Sequence, residues 1–524
     1  MAQPRAVRNG AGEGPAQWRS RGRGRARVTD ILAALLAACA GTPAAPAMTL
    51  GRRTLTYGDL RGRILGVARA LAGQGFAPGD RVLFSVRPGL DGISLALGVI
   101  AAGGTVVFAD PGAGESMFRA RAALAAPKWV AAEALLYAAS SGPLRGIARR
   151  RGIELPDYAT VVPEARHIFA GRWLPGVPRG ALRLRDLLRA ASGEVVGDPA
   201  GEALVIFTSG TTDNPKAVVH SRNSLGTGLD DFAASVAFVA GERVLTDQLM
   251  VGIPALISGA HWVLPPPGLD PGAAPGRYLD LLPGADVLFA VPAALGALLG
   301  MLERTPSATP KLRALLVGGA PVLRPLLERA QAQLPGTVIR AVYGMTEILP
   351  VAIADAAEKL AFDGPGDYVG ELMSHVTATV IDGELVVSGP GLAIGYLGEK
   401  PITRVHTGDL ARIEHGRLIL SGRSKDMFIR GTTNVYPGLY EPVIAGLPGI
   451  AEVAMAGVPD ELGDDSIVLA VVAGDGFDEA ALRSALPGLI DAAVLPDRIV
   501  VLDALPKAGR SSKLDRAALA DLLR

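Results

Sequence analysis

Residues 208–216 read Thr-Ser-Gly-Thr-Thr-Asp-Asn-Pro-Lys, which puts four hydroxyls, one glycine and one lysine within nine positions. Such a segment suits a polyanion. Hydroxyls and turn amides donate to phosphate oxygens, a glycine lets the backbone approach closely, and a lysine supplies charge. The Walker A spacing is absent. A polar turn between a strand and a helix has the same composition, so the loop alone does not decide. The chain has eight lysines against 44 arginines, so a lysine's position is informative. One of them, Lys216, closes this loop.

The elements that must position these groups follow from the hydrophobic pattern. Arg81–Val86, Gly104–Ala109, Lys128–Ala131, Ala203–Phe207, Leu312–Val317 and Val338–Val342 are short apolar runs separated by helix-length segments. Several are apolar on both faces, which predicts buried, largely parallel sheets with helices packed outside. The run Ala203–Phe207 feeds straight into the 208–216 loop. Residues 141–190 are rich in arginine, glycine and proline, and read as a surface-exposed connection or insertion. Val376–Ile381, Gly383–Ser388 and Arg417–Ser421 read as antiparallel strands with Asp-Gly and His-Gly turns. After about residue 426 a smaller α+β module runs to the end.

Composition bounds the rest. At 524 residues two or more domains are expected. A formal net charge of +1 gives no global pull toward nucleic acid or membrane. A single cysteine, Cys39, excludes an internal disulfide framework and a cysteine-based metal cluster. Residues 1–27 hold seven arginines without apolar period and read as a disordered basic leader. The run Ile31–Cys39 that follows has the outline of a lipoprotein signal, but it is short. An N-terminal helix capped by Thr29 or Asp30 accounts for it better. The longest apolar stretch, Ile93–Ala109, is interrupted by Gly103-Gly104 and reads as a helix, a turn and a strand, so no membrane span is expected.

Taken in order, the runs Phe207–Val218, Gly318–Pro321, Tyr343–Glu347, Thr407–Asp409, Gly422–Asp426 and Pro506–Lys513 resemble the motif series of the adenylate-forming superfamily. That superfamily comprises acyl-CoA synthetases, luciferases and peptide-synthetase adenylation domains. Leu55–Leu60 and Pro78–Arg81 fit as well, and the resemblance spans roughly 28–524. It implies an α/β fold: a large N-terminal domain (28–422) of parallel-rich sheets with flanking helices and a small β-barrel-like subdomain, a hinge at 423–426, and a small mobile α+β C-terminal domain (427–524). It implies ATP and Mg²⁺, a small-molecule carboxylic acid substrate, and a cytoplasmic enzyme that forms acyl-AMP and pyrophosphate.

The reaction brings two anions together, which at about 4 Å repel by about 1 kcal/mol in water and about 4 kcal/mol in a protein site. The resemblance makes Lys513 the cation that bridges carboxylate and α-phosphate. The family pattern there is Ser-Gly-Lys whereas this chain has Ser511-Ser512-Lys513, and Lys507 is the rival. The resemblance places Thr208, Ser209, Gly210, Thr211, Thr212 and Lys216 on the phosphates, and Thr346 and Glu347 at the catalytic centre with Glu347 on the metal. Tyr343 and Gly344 lie against adenine, Gly319 and Ala320 line the nucleotide pocket, Asp409 accepts from the ribose, and Arg423 meets ribose or phosphate. Lys425 is the hinge.

The acid and the acceptor are less specified. Met250 and Val291 belong to aliphatic segments expected to line an acyl pocket, which favours a hydrophobic acid over an amino acid. Coenzyme A is the commonest acceptor, but Thr432 stands where relatives usually keep glycine in the thiol tunnel. Phe108–Gly112 and Tyr343–Ala352 resemble the olefin β-lactone synthetases, whose substrate's own hydroxyl displaces AMP. A third reading is a degenerate member that binds nucleotide or acyl chains without turnover, since Asp213 and Ala217 replace glycines.

Overall fold

The computed structural model describes residues 17–19, 28–150, 155–207, 216–306, 309–423, 426–430, 433–459, 465–490, 492–508 and 513–524. Two large sheets dominate the first four-fifths of the chain. In the eight-stranded sheet, Glu202–Phe207, Thr105–Phe108, Arg81–Ser85, Trp129–Glu133, Arg166–Ala170 and Leu182–Arg183 run parallel in that spatial order. Ala217–Ser221 and Gly395–Tyr396 close its other edge antiparallel. The second sheet has 14 strands. Its parallel half contains Pro46–Leu50, His261–Leu264, Arg243–Leu245, Val287–Ala290, Ala314–Gly318 and Val338–Met345. From Val338–Met345 it continues antiparallel through Ile348–Asp355, Asp367–Leu372, Arg417–Arg423, Val405–Glu414, Glu384–Ser388 and Thr377–Ile381.

The apolar runs become parallel strands because each is covered on both faces. Helices Ile31–Gly41, Tyr57–Gly73, Leu90–Ala101 and Arg222–Val236 share one core with strands of both sheets, in which Leu35, Ile64 and Leu95 pack with Val82, Trp129 and Trp262. The antiparallel strands wrap a core of their own around Val351, Leu372, Val387 and Leu418. The barrel-like subdomain that the resemblance implied is here an open antiparallel extension of the 14-stranded sheet, ending at Thr377–Ile381 and Gln17–Arg19. Both turns named from sequence are present, with Asp382 at φ 50° and Gly383 at φ 82°, and His415 at φ 52° and Gly416 at φ 83°. Two consecutive positive φ values match the twist of the flanking strands.

The N-terminal apolar run is a helix, and Asp30 is its cap: Oδ1 accepts from the amides of Leu32 and Ala33. Two expectations need correction. Residues 141–190 are not simply a surface connection, because Arg166–Ala170 enters the sheet with His167 to Ala170 buried. Its apolar core is only three residues long, and it becomes a strand because Trp129–Glu133 offers a parallel edge. The basic leader is not wholly without structure either. Gln17–Arg19 pairs antiparallel with 377–379, using backbone groups that an edge strand leaves open. Residues 1–16 and 20–27 lie outside the described residues.

The C-terminal domain has a separate three-stranded sheet, Ile450–Pro459, Asp465–Ala473 and Arg498–Leu502. Helices Pro437–Ile444 and Glu479–Ala485 supply the core on one face, and Arg516–Leu523 the core on the other. Arg516 ties these parts together, donating to Asp426 at 3.1 Å and to Glu441 at 2.8 Å. The domain rests on the larger one where Gly438 meets Gly422. A Cβ on Gly438 would lie 2.6 Å from the Gly422 Cα.

The helix Leu249–Ile257, which carries Met250, is fixed by a glycine. A Cβ on Gly252 would fall 2.1 Å from the indole of Trp262. That indole is fully buried, and its Nε1–H donates to the Thr246 carbonyl at 2.8 Å, so it has nowhere to turn. Gly252→Ala is expected to destabilise the large domain by about 1–3 kcal/mol, read as a lowered denaturation midpoint with unchanged slope.

Candidate active site

The two large sheets meet at the hairpin that joins Val338–Met345 to Ile348–Asp355. Met345 pairs with Ile348, so Thr346 and Glu347 form its tip. Across from it lies Ala217–Ser221, the strand that begins immediately after Lys216. His220, on this strand, reaches the hairpin. Its Nε2 lies 2.7 Å from the Thr346 carbonyl and its Nδ1 3.0 Å from the Ser224 hydroxyl. A carbonyl only accepts, so Nε2 carries the proton of a neutral ring and Nδ1 accepts from Ser224. The next residues, Ser221 and Arg222, open the helix Arg222–Val236. Ser221 caps it, and buried Arg222 is anchored on Asp30 at 2.5 Å.

Glu347 is buried, at 8% exposure. Its Oε1 accepts from the Tyr396 hydroxyl at 2.8 Å, and its backbone carbonyl accepts from the Ala393 amide at 2.8 Å. The Lys216 ammonium sits 5.3 Å from the centroid of the same Tyr396 ring. Lys216, His220, Thr346, Glu347 and Tyr396 therefore form one linked group at the junction of the sheets.

A second group forms where Tyr343, on the first arm of that hairpin, meets the strand pair Val405–Glu414 and Arg417–Arg423. The Tyr343 hydroxyl donates to Asp409 Oδ2 at 2.5 Å, and Arg423 Nε donates to Oδ1 at 2.8 Å. Asp409 and Arg423 are cross-strand partners, and Asp409 is 6% exposed. Each carboxylate oxygen is used once, so acceptor capacity remains for a further donor. Burial, with Asp409 beside it, holds the Tyr343 phenol well above its usual range, so it stays a neutral donor. The turn before Asp409 is braced by Glu384, which accepts from the Gly408 amide at 2.8 Å and contacts His406 Nδ1 at 2.9 Å.

Gly318 pairs with Val342, so Gly319 and Ala320 leave the sheet beside Tyr343. Gly319 has φ 86°, and a Cβ there would touch Val291 Cγ1 at 3.4 Å. Val291, from the expected acyl pocket, is thus brought to the glycine turn, whereas Met250 packs against the core between the sheets. Gly344 faces the hairpin, where a Cβ would come 3.0 Å from the Leu349 side chain. Lys513 lies on an exposed two-stranded ribbon of the C-terminal domain, opposite Ala508, and no strand pairing joins it to the groups above. Its rival Lys507 is engaged with Glu452 at 2.8 Å. Thr208, Ser209, Gly210, Thr211, Thr212, Asp213, Lys425 and Thr432 lie outside the described residues.

Sequence reasoning missed His220, Tyr396 and Glu384. None belongs to a run whose composition suggests chemistry. Each matters only through a neighbour more than twenty residues away or on another strand. A surface groove of about 630 Å³, lined by Phe169, Trp173 and Arg183, lies toward the opposite edge of the eight-stranded sheet and shares no residue with this site.

The His220 tie has a measurable signature. Burial lowers its pKa, partly opposed by the Thr346 carbonyl. The unfolded chain takes up this proton near the ordinary histidine value, about 6.5, while the buried ring resists. Its contribution to stability is therefore present above that pH and lost as the pH falls below it. Thermal unfolding of wild type and His220→Gln should show a stability difference at pH 7.5 that shrinks on acidification below 6.5.

The family of AMP-binding enzymes matches residues 35–397, and the AMP-binding enzyme C-terminal domain matches 440–513. The chain belongs to the AMP-binding enzyme family and is an AMP-forming acid ligase. It is 29% identical over 506 residues to a feruloyl-CoA synthase of Amycolatopsis sp, covering 89% of this chain and 94% of that protein. A 2-succinylbenzoate–CoA ligase of Listeria monocytogenes serotype 4b is 28% identical over 366 residues, covering 64% of this chain and 70% of that protein. Among solved structures, the amide bond synthetase McbA of Marinactinospora thermotolerans shares the fold. Its TM-score is 0.75 at 22% identity, covering 94% of this chain and all of that one. No helix among the described residues is long and apolar enough to cross a membrane.

Proposed function

We propose that this protein activates a hydrophobic carboxylic acid with ATP, releases pyrophosphate, and transfers the acyl group from acyl-AMP to coenzyme A. The observation that carries this reading is the buried Glu347 carboxylate held by Tyr396 beside Lys216, one hairpin away from the Tyr343–Asp409–Arg423 group. Tyr343 and Glu347 stand on one hairpin, which makes the two groups neighbours.

In this reading Asp409 accepts from the ribose with its remaining lone pairs, Tyr343 and Gly344 pack against adenine, and Gly319 and Ala320 admit the nucleotide. Lys216 and the hydroxyls of 208–212 attract the phosphates. Glu347 suits Mg²⁺, which takes one or two carboxylates and completes its shell with phosphate oxygens and water. No group of three or more metal-ligating side chains occurs among the described residues, so a cage made only of protein is not built there. When bound, Mg²⁺ would neutralise phosphate charge. Thr346 lies at the same tip, with its carbonyl fixed by His220. Lys513 arrives on the C-terminal ribbon as the domain turns about 423–426, with Lys425 as pivot, and stabilises the charge that shifts as carboxylate attacks the α-phosphate.

Val291 beside Gly319 supports an apolar acid. Two of the proteins named above, the feruloyl-CoA synthase and the 2-succinylbenzoate–CoA ligase, use coenzyme A by name, which supports it as acceptor, and dependence on ATP suits a cytoplasmic site. A second reading, displacement of AMP by a hydroxyl of the substrate itself, is favoured by Thr432 in place of a tunnel glycine. Acid-dependent ATP–pyrophosphate exchange over a panel of acids, with product analysis with and without coenzyme A, tests both. No exchange with any acid leaves only a nucleotide- or acyl-binding protein, and lactone without thioester selects the second reading.

A further inference from the structure

Tyr396 belongs to none of the runs that suggested chemistry, yet it touches two groups of the site at once. The backbone around it is fixed. Gly395 and Tyr396 pair with Val219 and Val218, and the amides of Ile394 and Leu397 donate to Val219 and Ala217, each at 2.8 Å. Two residues earlier, the Ala393 amide holds the Glu347 carbonyl at 2.8 Å. The segment 393–397 thus binds the strand that follows Lys216 and the hairpin tip that carries Glu347. Tyr396 reaches into the angle between them. Its hydroxyl donates to Glu347 Oε1 at 2.8 Å, and its ring face lies 5.3 Å from the Lys216 ammonium.

These contacts have a physical purpose. A buried carboxylate needs a donor, and among the described residues the Glu347 side chain has the Tyr396 phenol. The phenol occupies Oε1 and leaves Oε2 open. A lysine in its place would neutralise the carboxylate. The ring in turn gives the ammonium an attractive seat beside the carboxylate, 5.3 Å from its centroid. Direct pairing of Lys216 with Glu347 would remove the positive charge meant for phosphate and the negative charge meant for metal.

We propose that Tyr396 is a positioning residue of the adenylation site, one that reserves Glu347 for the metal and Lys216 for the phosphates by standing between them. The inference rests on the adenylation reading above. It predicts that the hydroxyl acts on metal-dependent nucleotide binding and the ring on nucleotide binding as such. Metal ligands whose supporting hydrogen bond is removed typically lose tenfold or more in affinity or activity.

The test compares wild type, Tyr396→Phe and Tyr396→Leu. Calorimetry measures ATP affinity with MgCl₂ and with EDTA, and exchange kinetics give the Mg²⁺ concentration at half-maximal rate. Tyr396→Phe should need about tenfold more Mg²⁺ and lose about tenfold in ATP affinity with MgCl₂, with affinity in EDTA unchanged. Tyr396→Leu should also lose affinity in EDTA. In a Glu347→Gln background the effect of Tyr396→Phe should vanish. A Tyr396→Phe variant equal to wild type overturns the proposal. So does an equal loss with and without Mg²⁺, or a full effect that persists in Glu347→Gln. Tyr396→Leu equal to Tyr396→Phe overturns the part assigned to the ring. Absence of acid-dependent exchange in wild type sinks the adenylation reading itself, a result distinct from these.

Discussion

Lys513→Ala should lower acid-dependent ATP–pyrophosphate exchange by about 10²–10³-fold in kcat, the size of loss seen when a donor aimed at developing transition-state charge is removed. The KM for ATP should change little, because the interaction is made only as the carboxylate attacks. The control is built into the same ribbon. Lys507 and Lys513 lie on its two strands, but Lys507 already holds Glu452 at 2.8 Å across the domain surface. Lys507→Ala should therefore keep exchange within about threefold, since an exposed ion pair contributes little. Full exchange by Lys513→Ala together with a large loss in Lys507→Ala would reverse the assignment. Thioester formation from chemically supplied acyl-AMP should survive Lys513→Ala, which separates a lost catalytic charge from a misfolded domain.

Asp409→Ala should raise the KM for ATP by about 10–100-fold, the range for a lost hydrogen bond to a charged acceptor. Two effects combine. The ribose loses its acceptor, and Tyr343 and Arg423 lose theirs. Arg423 is half exposed and turns to water, but the buried phenol of Tyr343 does not. Its ring should drift from the position that meets adenine. Tyr343→Phe separates the two effects. It keeps the ring, frees one carboxylate oxygen, and should cost only a few-fold in KM. Equal losses in Tyr343→Phe and Asp409→Ala would mean that Asp409 serves only to hold the tyrosine. An unchanged KM in Asp409→Ala would remove it from the nucleotide site.

Much of the site was legible because its groups sit in short runs at strand ends, where composition is local. Tyr343 and Glu347 are four residues apart and occupy one hairpin arm and its tip, so a single motif places both. Asp409 and Arg423 lie fourteen apart on two strands, but the His-Gly turn at 415–416 foretold the pairing that makes them neighbours. The buried strands were readable for a similar reason. A run such as Leu83–Phe84 or Val106–Val107 has no polar face to show to water, and only cover on both sides accommodates it.

What escaped was cooperative. Arg166–Ala170 has too short an apolar core to announce a strand, and the edge offered by Trp129–Glu133 makes it one. His220 looks like a polar residue at a strand end until the hairpin of the other sheet brings the Thr346 carbonyl to it. Tyr396 lies 49 residues from Glu347 and 180 from Lys216, and no periodicity links them. By itself, then, the sequence determined what short runs encode: the hairpin turns, the capped N-terminal helix and the ordered motifs of an acid-activating ligase. The tertiary structure decided which lone side chains complete that chemistry. The reason is that hydrogen bonds and cation–ring contacts act over a few ångströms, and only the meeting of two sheets brings Lys216, Glu347 and Tyr396 within that reach.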